Sequence, residues 1–356
     1  MIINTKIFGG AVLVLACGFN LSVDKTAAID QLCTAYAGKN TPGAAVMIIE
    51  NGKAVFKKAY GLADLEEKTR ITTKTNFRLA SVTKQFTAMC IMQLAQSGRL
   101  GYEDNLQQIF PEFPAYGRNV KIRHLLQHTS GLVAYEDLIP DTATVQVLDQ
   151  DVLKMMMTQD STYFPPGSQY RYSNSGYAVL ARVIEKLSGQ AFAQFLQENI
   201  FKPLGMKNTV AYEKSISTVK NRALGYRQEG GQFVFSDQSV TSAVLGDGGI
   251  YSSLEDLFKW DQALYTEKLV KNEFLATAFA PGILRNGKAL DYGFGWRLDQ
   301  FGGHRRVSHT GSTSGFRNVI QRYPDDNFTV IILTNRAEPE VSPLADKLAE
   351  MFLGKS

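Results

Sequence analysis

Apolar residues form short runs of strand length near both ends of the chain. Near the start, the runs Ala44–Glu50 and Lys53–Tyr60 are separated by the dipeptide Asn51-Gly52. Asn-Gly favours a two-residue type I′ turn, because both positions of that turn require a positive φ angle. The pattern therefore predicts a β-hairpin over residues 44–60.

A second hairpin is predicted near the other end of the chain. Residues 317–323 and 328–334 have strand-like composition and flank a turn-forming segment, Pro-Asp-Asp-Asn at 324–327. Helices are predicted before the first hairpin, at residues 28–36, and after the second, at residues 341–352. Antiparallel strands are thus expected at both ends of the chain.

The middle of the chain has a different pattern. Its helical segments are predicted at residues 81–96, 152–157, 175–187 and 192–200, separated by turn sequences. The simplest architecture is an α/β fold of the α+β type, in which one antiparallel sheet is built from both chain ends and a mainly helical lobe is inserted. We place the sheet lobe at about residues 25–85 plus 240–356 and the helical lobe at about 86–239, without a flexible linker or internal repeat.

Composition and charge restrict the class of protein. With 356 residues, 44% hydrophobic and 20% charged, the chain has enough apolar material for one large or two joined globular lobes. Its net charge of +4 is small and its basic residues are dispersed, so a nucleic-acid partner is not expected. The four histidines have no spacing typical of a zinc site. The sequence therefore implies neither a metal nor another cofactor.

The first residues predict export. Lys6 precedes an apolar run, residues 7–17, that is too short to cross a bilayer but suits the hydrophobic region of a signal peptide. We interpret residues 1–24 as this leader, expect no membrane-spanning helix, and expect the mature protein in the periplasm or associated with the outer membrane or cell envelope. Residues 14–17, Val-Leu-Ala-Cys, are also similar to a bacterial lipoprotein cleavage box, although leucine replaces the usual small residue. A lipid anchor on Cys17 therefore stays an open alternative.

Cysteine usage adds one structural expectation. If Cys17 belongs to the leader, Cys33 and Cys90 are the cysteines that remain. Two cysteines do not make a disulfide framework in an exported protein of this size. We therefore expect two buried free thiols.

The candidate chemistry begins at Ser81 and Lys84, at the start of the predicted helix 81–96. Apolar residues recur every four positions along this segment, and the helix is expected to end at Ser97-Gly98. Residues three apart share one face of a helix, so the serine hydroxyl and the lysine amine can meet. A buried lysine can be neutral enough to accept the serine proton, and backbone N–H groups of the first turn can stabilise an oxyanion.

The same Ser-x-x-Lys spacing also occurs at Ser22 with Lys25 and at Ser217 with Lys220. The first pair adjoins the leader, and the second lies in a polar stretch without a helical apolar pattern behind it. We expect both pairs to be solvated chain. The spacing alone is therefore a weak signal.

Two further motifs give Ser81 its context. Residues 172–174, Tyr-Ser-Asn, precede the predicted helix 175–187, and residues 309–311, His-Thr-Gly, lie on a predicted strand. In this order and at this separation, the three motifs resemble the active-site motifs of serine β-lactamases, penicillin-binding proteins and their relatives. The likeness covers roughly residues 28–352. It is closest to the class C β-lactamase-related group, which includes esterases, D-aminopeptidases and D-alanyl-D-alanine carboxypeptidases.

The resemblance implies a fold and a set of catalytic roles. The fold is an antiparallel sheet flanked by helices, with a helical lobe beside it and the catalytic cleft between them. Ser81 is then the nucleophile, with Lys84 and Tyr172 sharing the handling of its proton. Asn174 is expected to bond Lys84 and to orient the substrate amide, to cap the helix that follows, or to do both.

The resemblance also implies substrate-binding residues on the His-Thr-Gly strand. These are His309, Thr310, Gly311 and Ser312. The backbone N–H groups of Ser81 and Ser312 would form the oxyanion hole, which needs no particular side chain at the second position.

His309 departs from the β-lactamase pattern, because those enzymes carry a lysine at this place. A lysine there is a permanent cation that attracts a substrate carboxylate, whereas a free imidazole has a pKa near 6.5. We expect His309 to be mainly neutral at about pH 7.5 and to become charged toward about pH 6. The departure favours peptidase, D-aminopeptidase or esterase activity over efficient β-lactam hydrolysis.

Two other sequences suggest chemistry but are given structural interpretations. His128 stands beside Thr-Ser-Gly, and we expect it to structure a loop, not to act as a base for a serine. Residues 246–249, Gly-Asp-Gly-Gly, resemble a phosphate-binding loop only superficially, because no Gly-Lys-Ser follows.

Two hypotheses for function remain at this point. The first is an exported serine hydrolase that forms an acyl-Ser81 intermediate with a small-molecule or peptide amide or ester. The alternative is a penicillin-binding sensor, or a module that binds without turnover. The loops at residues 133–149 and 214–239 determine the width of the pocket, and their paths are not readable from the sequence.

Overall fold

The computed structural model describes residues 23–354, with side chains from residue 25 onward. Cys17 and the apolar run of the predicted leader lie outside these residues. Val23, near the end of the predicted leader, is already the first residue of a helix.

The strands in the described part of the chain are β1 (Ala44–Glu50), β2 (Lys53–Tyr60), β3 (Leu62–Asp64), β4 (Thr69–Arg70), β5 (Phe77–Arg78), β6 (Val210–Ala211), β7 (Tyr226–Glu229), β8 (Gln232–Phe235), β9 (Ile250–Ser252), β10 (Arg297–Phe301), β11 (His304–Thr313), β12 (Phe316–Tyr323) and β13 (Phe328–Thr334).

The α-helices are α1 (Val23–Leu32), α2 (Lys84–Gln96), α3 (Leu106–Ile109), α4 (Ile122–Leu126), α5 (Asp149–Met157), α6 (Asn174–Ser188), α7 (Phe192–Leu196), α8 (Lys202–Leu204), α9 (Leu245–Gly248), α10 (Leu254–Ala263), α11 (Asn272–Ala278) and α12 (Ser342–Leu353). Short 3₁₀ turns lie at Thr34–Tyr36, Ala80–Thr83, Ala115–Asn119, Tyr135–Leu138, Val240–Ala243 and Pro324–Asp326, and a π-helical turn at Gln197–Phe201.

One antiparallel sheet organises the molecule. Its strand order is β10-β11-β12-β13-β1-β2. The pairing of β1 with β13 joins the two ends of the chain, with Ala44 opposite Thr334. The predicted sheet built from both chain ends is therefore confirmed, and β12 begins one residue earlier than predicted.

The first hairpin has the predicted turn. Asn51 has a φ of 50° and Gly52 a φ of 71°, the positive values that a type I′ turn requires. The two strands are paired up to the residues that flank this turn, since Glu50 pairs with Lys53.

The side chains of β1 alternate between the two faces of the sheet, as strand geometry requires. On one face they join the large core shared with the helical middle of the chain: Ala45, Met47 and Ile49. On the other face they pack with residues of α1 and α12: Ala44, Val46 and Ile48.

Helix α2 lies inside the large core. Most of its side chains are buried, and Phe86 stacks on Trp260 of α10 with ring centroids 4.2 Å apart. A helix that is buried on most of its surface is surrounded by other elements. The start of α2, at Lys84, is therefore held from several sides.

Short strands also pair outside the main sheet. β6 pairs with β9, which pairs with β5, and β7 pairs with β8 in a separate hairpin. No helix in residues 23–354 has the length and apolar content that crossing a membrane requires. Cys33 and Cys90 are buried free thiols, which confirms the expectation for these two residues.

Candidate active site

Ser81 lies on the 3₁₀ turn that leads into α2. The sequence predicted an α-helix from residue 81, but the α-helix begins at Lys84. This difference preserves the predicted contact, because side chains three residues apart eclipse in a 3₁₀ turn. The Nζ atom of Lys84 lies 3.1 Å from the Oγ atom of Ser81.

Lys84 is fully buried, and its amine has three oxygen neighbours. Besides Ser81, these are Oδ1 of Asn174 at 2.8 Å and the backbone carbonyl of Asp247 at 2.9 Å. The amide and carbonyl oxygens can only accept hydrogen bonds, whereas the hydroxyl can also donate one. With two of its positions facing obligate acceptors, the amine turns its third position toward the hydroxyl of Ser81, where the lone pair of an unprotonated amine would act as a general base.

Tyr172 lies against the same amine. The Nζ atom of Lys84 is 4.9 Å from the centroid of the Tyr172 ring. Within the described residues, the phenolic oxygen of Tyr172 is buried and makes no hydrogen bond. The hydroxyl is therefore an unused donor, and its contact with a substrate or leaving group stays a prediction.

Asn174 connects the lysine to a carboxylate. Its Oδ1 atom accepts from Lys84, and its Nδ2 atom donates to Oε1 of Glu136 at 2.7 Å. It is not the helix cap that the sequence allowed, because the cap is Ser173, whose side chain accepts from the N–H of Gly176. The Asn174 side chain therefore has no capping role and bonds to Lys84 and Glu136 in the site.

His309 is buried and neutral, so the expectation that its imidazole becomes charged near pH 6 is wrong. Burial lowers its pKa to about 3, and the nearby charge of Lys84 adds to this effect. Its Nδ1 atom lies 2.6 Å from the carbonyl of Thr310, and its Nε2 atom lies 2.9 Å from the hydroxyl of Tyr292. Because a carbonyl only accepts, Nδ1 carries the proton and Nε2 accepts from Tyr292.

A neutral His309 should give no pH-dependent help to anionic substrates. We expect the ratio of kcat/KM for a penicillin to kcat/KM for a neutral ester to be flat from about pH 5.5 to 8, because the titration of shared groups cancels in the ratio. ¹⁵N NMR of labelled histidines, assigned with His309→Gln, should show a single protonated Nδ1 across this range. A ratio that rises toward about pH 5.5 together with protonation of His309 would contradict the assignment.

Gly311 allows strand β11 to approach the turn of Ser81. A Cβ atom at Gly311 would lie 2.0 Å from the carbonyl oxygen of Leu79, which is far closer than atoms pack. Thr310 on the same strand is half-buried and Ser312 is exposed. The backbone of β11 therefore forms one boundary of the site.

A polar cleft of about 130 Å³ opens at Ser81. Its walls include three residues predicted for the site: Ser81, Asn174 and Ser312. Its other lining residues are Arg78, Ala80, Tyr135, Glu136, Thr241, Asp247, Gly248 and Thr313. The buried His309 is not among the lining residues, so a direct contact with substrate stays a prediction.

Sequence reasoning missed three charged residues of the cleft. Glu136 lies in the loop at residues 133–149, where no local pattern marks it. Asp247 lies in the Gly-Asp-Gly-Gly segment; burial raises its pKa to about 6, against the opposing charge of Lys84. Arg78 is buried and donates to the carbonyls of Gly248 and Ser242.

The competing Ser-x-x-Lys pair in the described chain has no such surroundings. The hydroxyl of Ser217 bonds to the backbone of Glu213, and Lys220 is exposed. Ser22 lies outside the described residues. His128 has the structural role that the sequence predicted, because its Nδ1 atom accepts from the N–H of Ser173 at 3.1 Å and its carbonyl accepts from Arg171.

The sheet and the Ser81 cleft together point to the class of serine hydrolases whose nucleophile is paired with a lysine. The chain belongs to the Beta-lactamase family, which it matches over residues 29–354. The resemblance drawn from the three motifs is thereby confirmed.

Two curated relatives illustrate the family. Penicillin-binding protein 4* of Bacillus subtilis is 38% identical over 309 residues, which cover 82% of this chain and 68% of that protein. A D-aminopeptidase of Brucella anthropi is 30% identical over 323 residues, which cover 88% of this chain and 60% of that enzyme. The chain thus spans about two thirds of the length of these relatives.

Solved structures share the fold. The octameric penicillin-binding protein homologue from Pyrococcus abyssi has a TM-score of 0.82 and 25% identity, covering 94% of this chain and 77% of that one. The D-amino acid amidase from Ochrobactrum anthropi SV3, complexed with L-phenylalanine amide, has a TM-score of 0.75 and covers 92% of this chain and 96% of that one. At 22% identity, the likeness to the amidase shows the fold alone.

Proposed function

We propose that the protein is an exported serine hydrolase that cleaves small amides or esters through an acyl-Ser81 intermediate. One observation supports this proposal: the amine of Lys84 contacts the hydroxyl of Ser81 and two oxygens that can only accept. These oxygens are Oδ1 of Asn174 and the carbonyl of Asp247. This arrangement directs the free electron pair of a neutral amine at the nucleophile.

In the first half of the reaction, Oγ of Ser81 bonds to the substrate carbonyl carbon while its proton passes to Lys84. The carbonyl oxygen becomes an oxyanion, for which the backbone N–H groups of Ser81 and Ser312 are the candidate donors. When the tetrahedral intermediate collapses, the carbon–nitrogen or carbon–oxygen bond breaks. The leaving group takes the proton through the hydroxyl of Tyr172.

In the second half, a water molecule attacks the acyl carbon and gives its proton to the same base. The bond between Ser81 and the acyl group breaks, Ser81 regains a proton, and the acid is released. No cofactor is needed for this sequence of steps.

Glu136 favours substrates that carry an ammonium group beside the scissile bond. Its carboxylate lines the Ser81 cleft, and the hydrogen bond from Asn174 occupies only one of its two oxygens. The second oxygen can accept from an ammonium. With His309 neutral, position 309 lacks the cation that a lysine there would offer to the carboxylate of a β-lactam.

We therefore propose amino-acid amides and short peptides with a free amino terminus as substrates, with the D-configuration preferred. The preference for D-residues is supported by the relative named D-aminopeptidase. Small esters of the same acids fit the same chemistry.

A hydrolysis screen over D- and L-amino-acid amides, nitrophenyl esters and nitrocefin tests this proposal. We expect turnover of D-amino-acid amides, and we expect Glu136→Gln to lower their kcat/KM roughly 10- to 100-fold, since a charge-assisted hydrogen bond to the ammonium is lost. The glutamine can still accept from Asn174, so kcat/KM for a neutral ester should stay within about twofold. An equal loss on both substrates would overturn the role of Glu136.

The same screen separates the hydrolase from a penicillin-binding sensor. Intact mass after incubation with a fluorescent penicillin reports any acyl adduct. A long-lived adduct, without product release from any amide or ester, would replace the hydrolase proposal with the sensor.

Export is proposed from the apolar run at residues 7–17 and the basic residue before it. Fractionation of cells that produce the full chain should place it in the envelope fraction, and the mass of the mature chain should show leader removal. A mass that includes a diacylglyceryl group would support lipidation of Cys17. An uncleaved chain in the cytoplasm would contradict export.

A further inference from the structure

The short helix α9 presents three consecutive carbonyl groups to the catalytic region. The carbonyl of Gly246 accepts from Oγ1 of Thr87 at 2.7 Å, and that of Asp247 accepts from Nζ of Lys84 at 2.9 Å. The carbonyl of Gly248 accepts from Nε of Arg78 at 3.3 Å. The position of this turn therefore determines one of the three hydrogen bonds of the Lys84 amine.

The opposite end of the turn is held by Asp149, the first residue of α5. Its Oδ2 atom accepts from the N–H of Leu245 at 2.8 Å, and its Oδ1 atom accepts from the N–H of Gly246 at 2.9 Å. Both carboxylate oxygens are thus engaged by backbone N–H groups that the short helix cannot satisfy by itself.

Gly246 allows this close contact. A Cβ atom there would lie 2.3 Å from the carbonyl oxygen of Tyr177 in α6 and 3.1 Å from Oδ1 of Asp149. The turn is therefore confined between α6 and the Asp149 carboxylate. The backbone of Gly246 and Asp247 connects the two sides. The N–H of Gly246 donates to the Asp149 carboxylate, and the carbonyl of Asp247 accepts from Lys84.

We propose that Asp149 is a positioning residue for catalysis, which holds the α9 turn so that the Asp247 carbonyl orients the amine of Lys84 toward Ser81. This inference rests on the proposed role of Lys84 as the base. It adds a residue 68 positions after Ser81 in the chain, outside the three motifs. Asp149 does not touch the substrate cleft.

The protonation state of Asp149 changes its capacity to hold the turn. The ionised carboxylate accepts both N–H groups, whereas the neutral acid places an O–H donor against one of them. Burial raises the pKa of Asp149 to about 7, and the charges of Asp247 and Glu185 act in the same direction. The holding form therefore accumulates as the pH rises through about 7.

Asp149 also lines a groove of about 610 Å³, which gives it a route for proton exchange. The titratable groups that face it from neighbouring elements are Tyr135, Arg182, Glu185, Tyr212, Glu213, Lys214 and Asp247. Arg182 forms an ion pair with Glu185, which offsets part of the negative charge of Glu185.

The test compares Asp149→Asn with wild type by the rate at which a fluorophosphonate labels Ser81. This readout requires an activated serine but no particular substrate. At about pH 8 we expect labelling of the variant to be about 10- to 100-fold slower, because a displaced Lys84 amine is a poorer base. At about pH 5.5 the ratio of the two rates should approach one, because the wild-type residue is then protonated.

Asp151→Asn is the matched control. Asp151 lies on the same helix, but its carboxylate caps α5 itself and contacts Lys154 on the surface. Its removal should leave the labelling rate within about twofold at every pH. A ratio for Asp149→Asn that stays the same from about pH 5.5 to 8, or equals one throughout, would overturn the proposal.

Thr87→Val keeps the inference testable if Asp149→Asn does not fold. It removes the contact to the Gly246 carbonyl with little change in shape, and labelling should slow by about 3- to 10-fold. A folded Thr87→Val protein with the wild-type rate would overturn the role of the turn. Absence of labelling in wild type would instead overturn the proposed function, so the two failures are distinguishable.

Discussion

Replacing Ser81 with alanine should reduce acylation and turnover by more than about 10³-fold, because the substitution removes the hydroxyl that forms the proposed covalent intermediate. Of the three oxygens that hydrogen-bond with the Lys84 amine within residues 23–354, the Ser81 hydroxyl is the one that has a proton to give. Intact mass after incubation with a fluorescent penicillin, and release of nitrophenol from a nitrophenyl ester, measure the two effects separately.

Ser217→Ala is the control for this change, because Ser217 has the same spacing to a lysine. Its hydroxyl bonds to the backbone of Glu213, and we expect wild-type acylation after its removal. If both alanine variants lost acylation equally, the assignment of Ser81 as the nucleophile would be wrong.

Lys84→Ala should lower the acylation rate by roughly 10²-fold or more, the usual contribution of a positioned proton acceptor. The substitution removes the amine and leaves the carbonyl of Asp247 and the side chain of Asn174 without their partner. Rapid-quench labelling followed by mass measurement gives the rate. Circular dichroism and a thermal melt establish that the variant is folded.

Two further variants sharpen the test of Lys84. Lys84→Arg keeps a cation with several donors but cannot accept a proton, so it should be as slow as the alanine variant. Lys259→Ala removes a half-buried lysine that bonds Asp256 and the carbonyl of Gly205, away from the cleft, and should leave the rate within about twofold. A folded Lys84→Ala protein with normal acylation would show that another group is the base.

The sheet could be predicted from the sequence because its signals are local. Asn51 and Gly52 specify their turn through their own φ preferences, and that turn determines the register of β1 and β2. Ser81 and Lys84 could be placed together because three residues of chain determine their distance. In each case the physical cause lies within a few residues of the pattern.

The charge state of His309 could not be predicted in the same way. It depends on burial and on the nearby charge of Lys84. The hydrogen bond to His309 comes from Tyr292, a residue that the sequence pattern did not connect to the site. Glu136 and Asp149 lie at the start and end of a loop whose path is set by contacts with α6 and α9. Acidic residues in loops are commonly solvated, so composition gave no reason to select these two.

The pairing of β1 with β13 has a consequence for the order of assembly. Ala44 pairs with Thr334, so the middle of the sheet cannot close until the chain is available as far as β13. The turn of Ser81 packs against β11, which belongs to the same late part of the chain. A chain emerging from the ribosome therefore carries Ser81 and Lys84 long before β11 is available to pack against their turn, and such non-local pairing slows folding. Completion of the site in this way requires synthesis of β11 to β13, and a chain cut short before residue 328 would leave β1 without its partner β13.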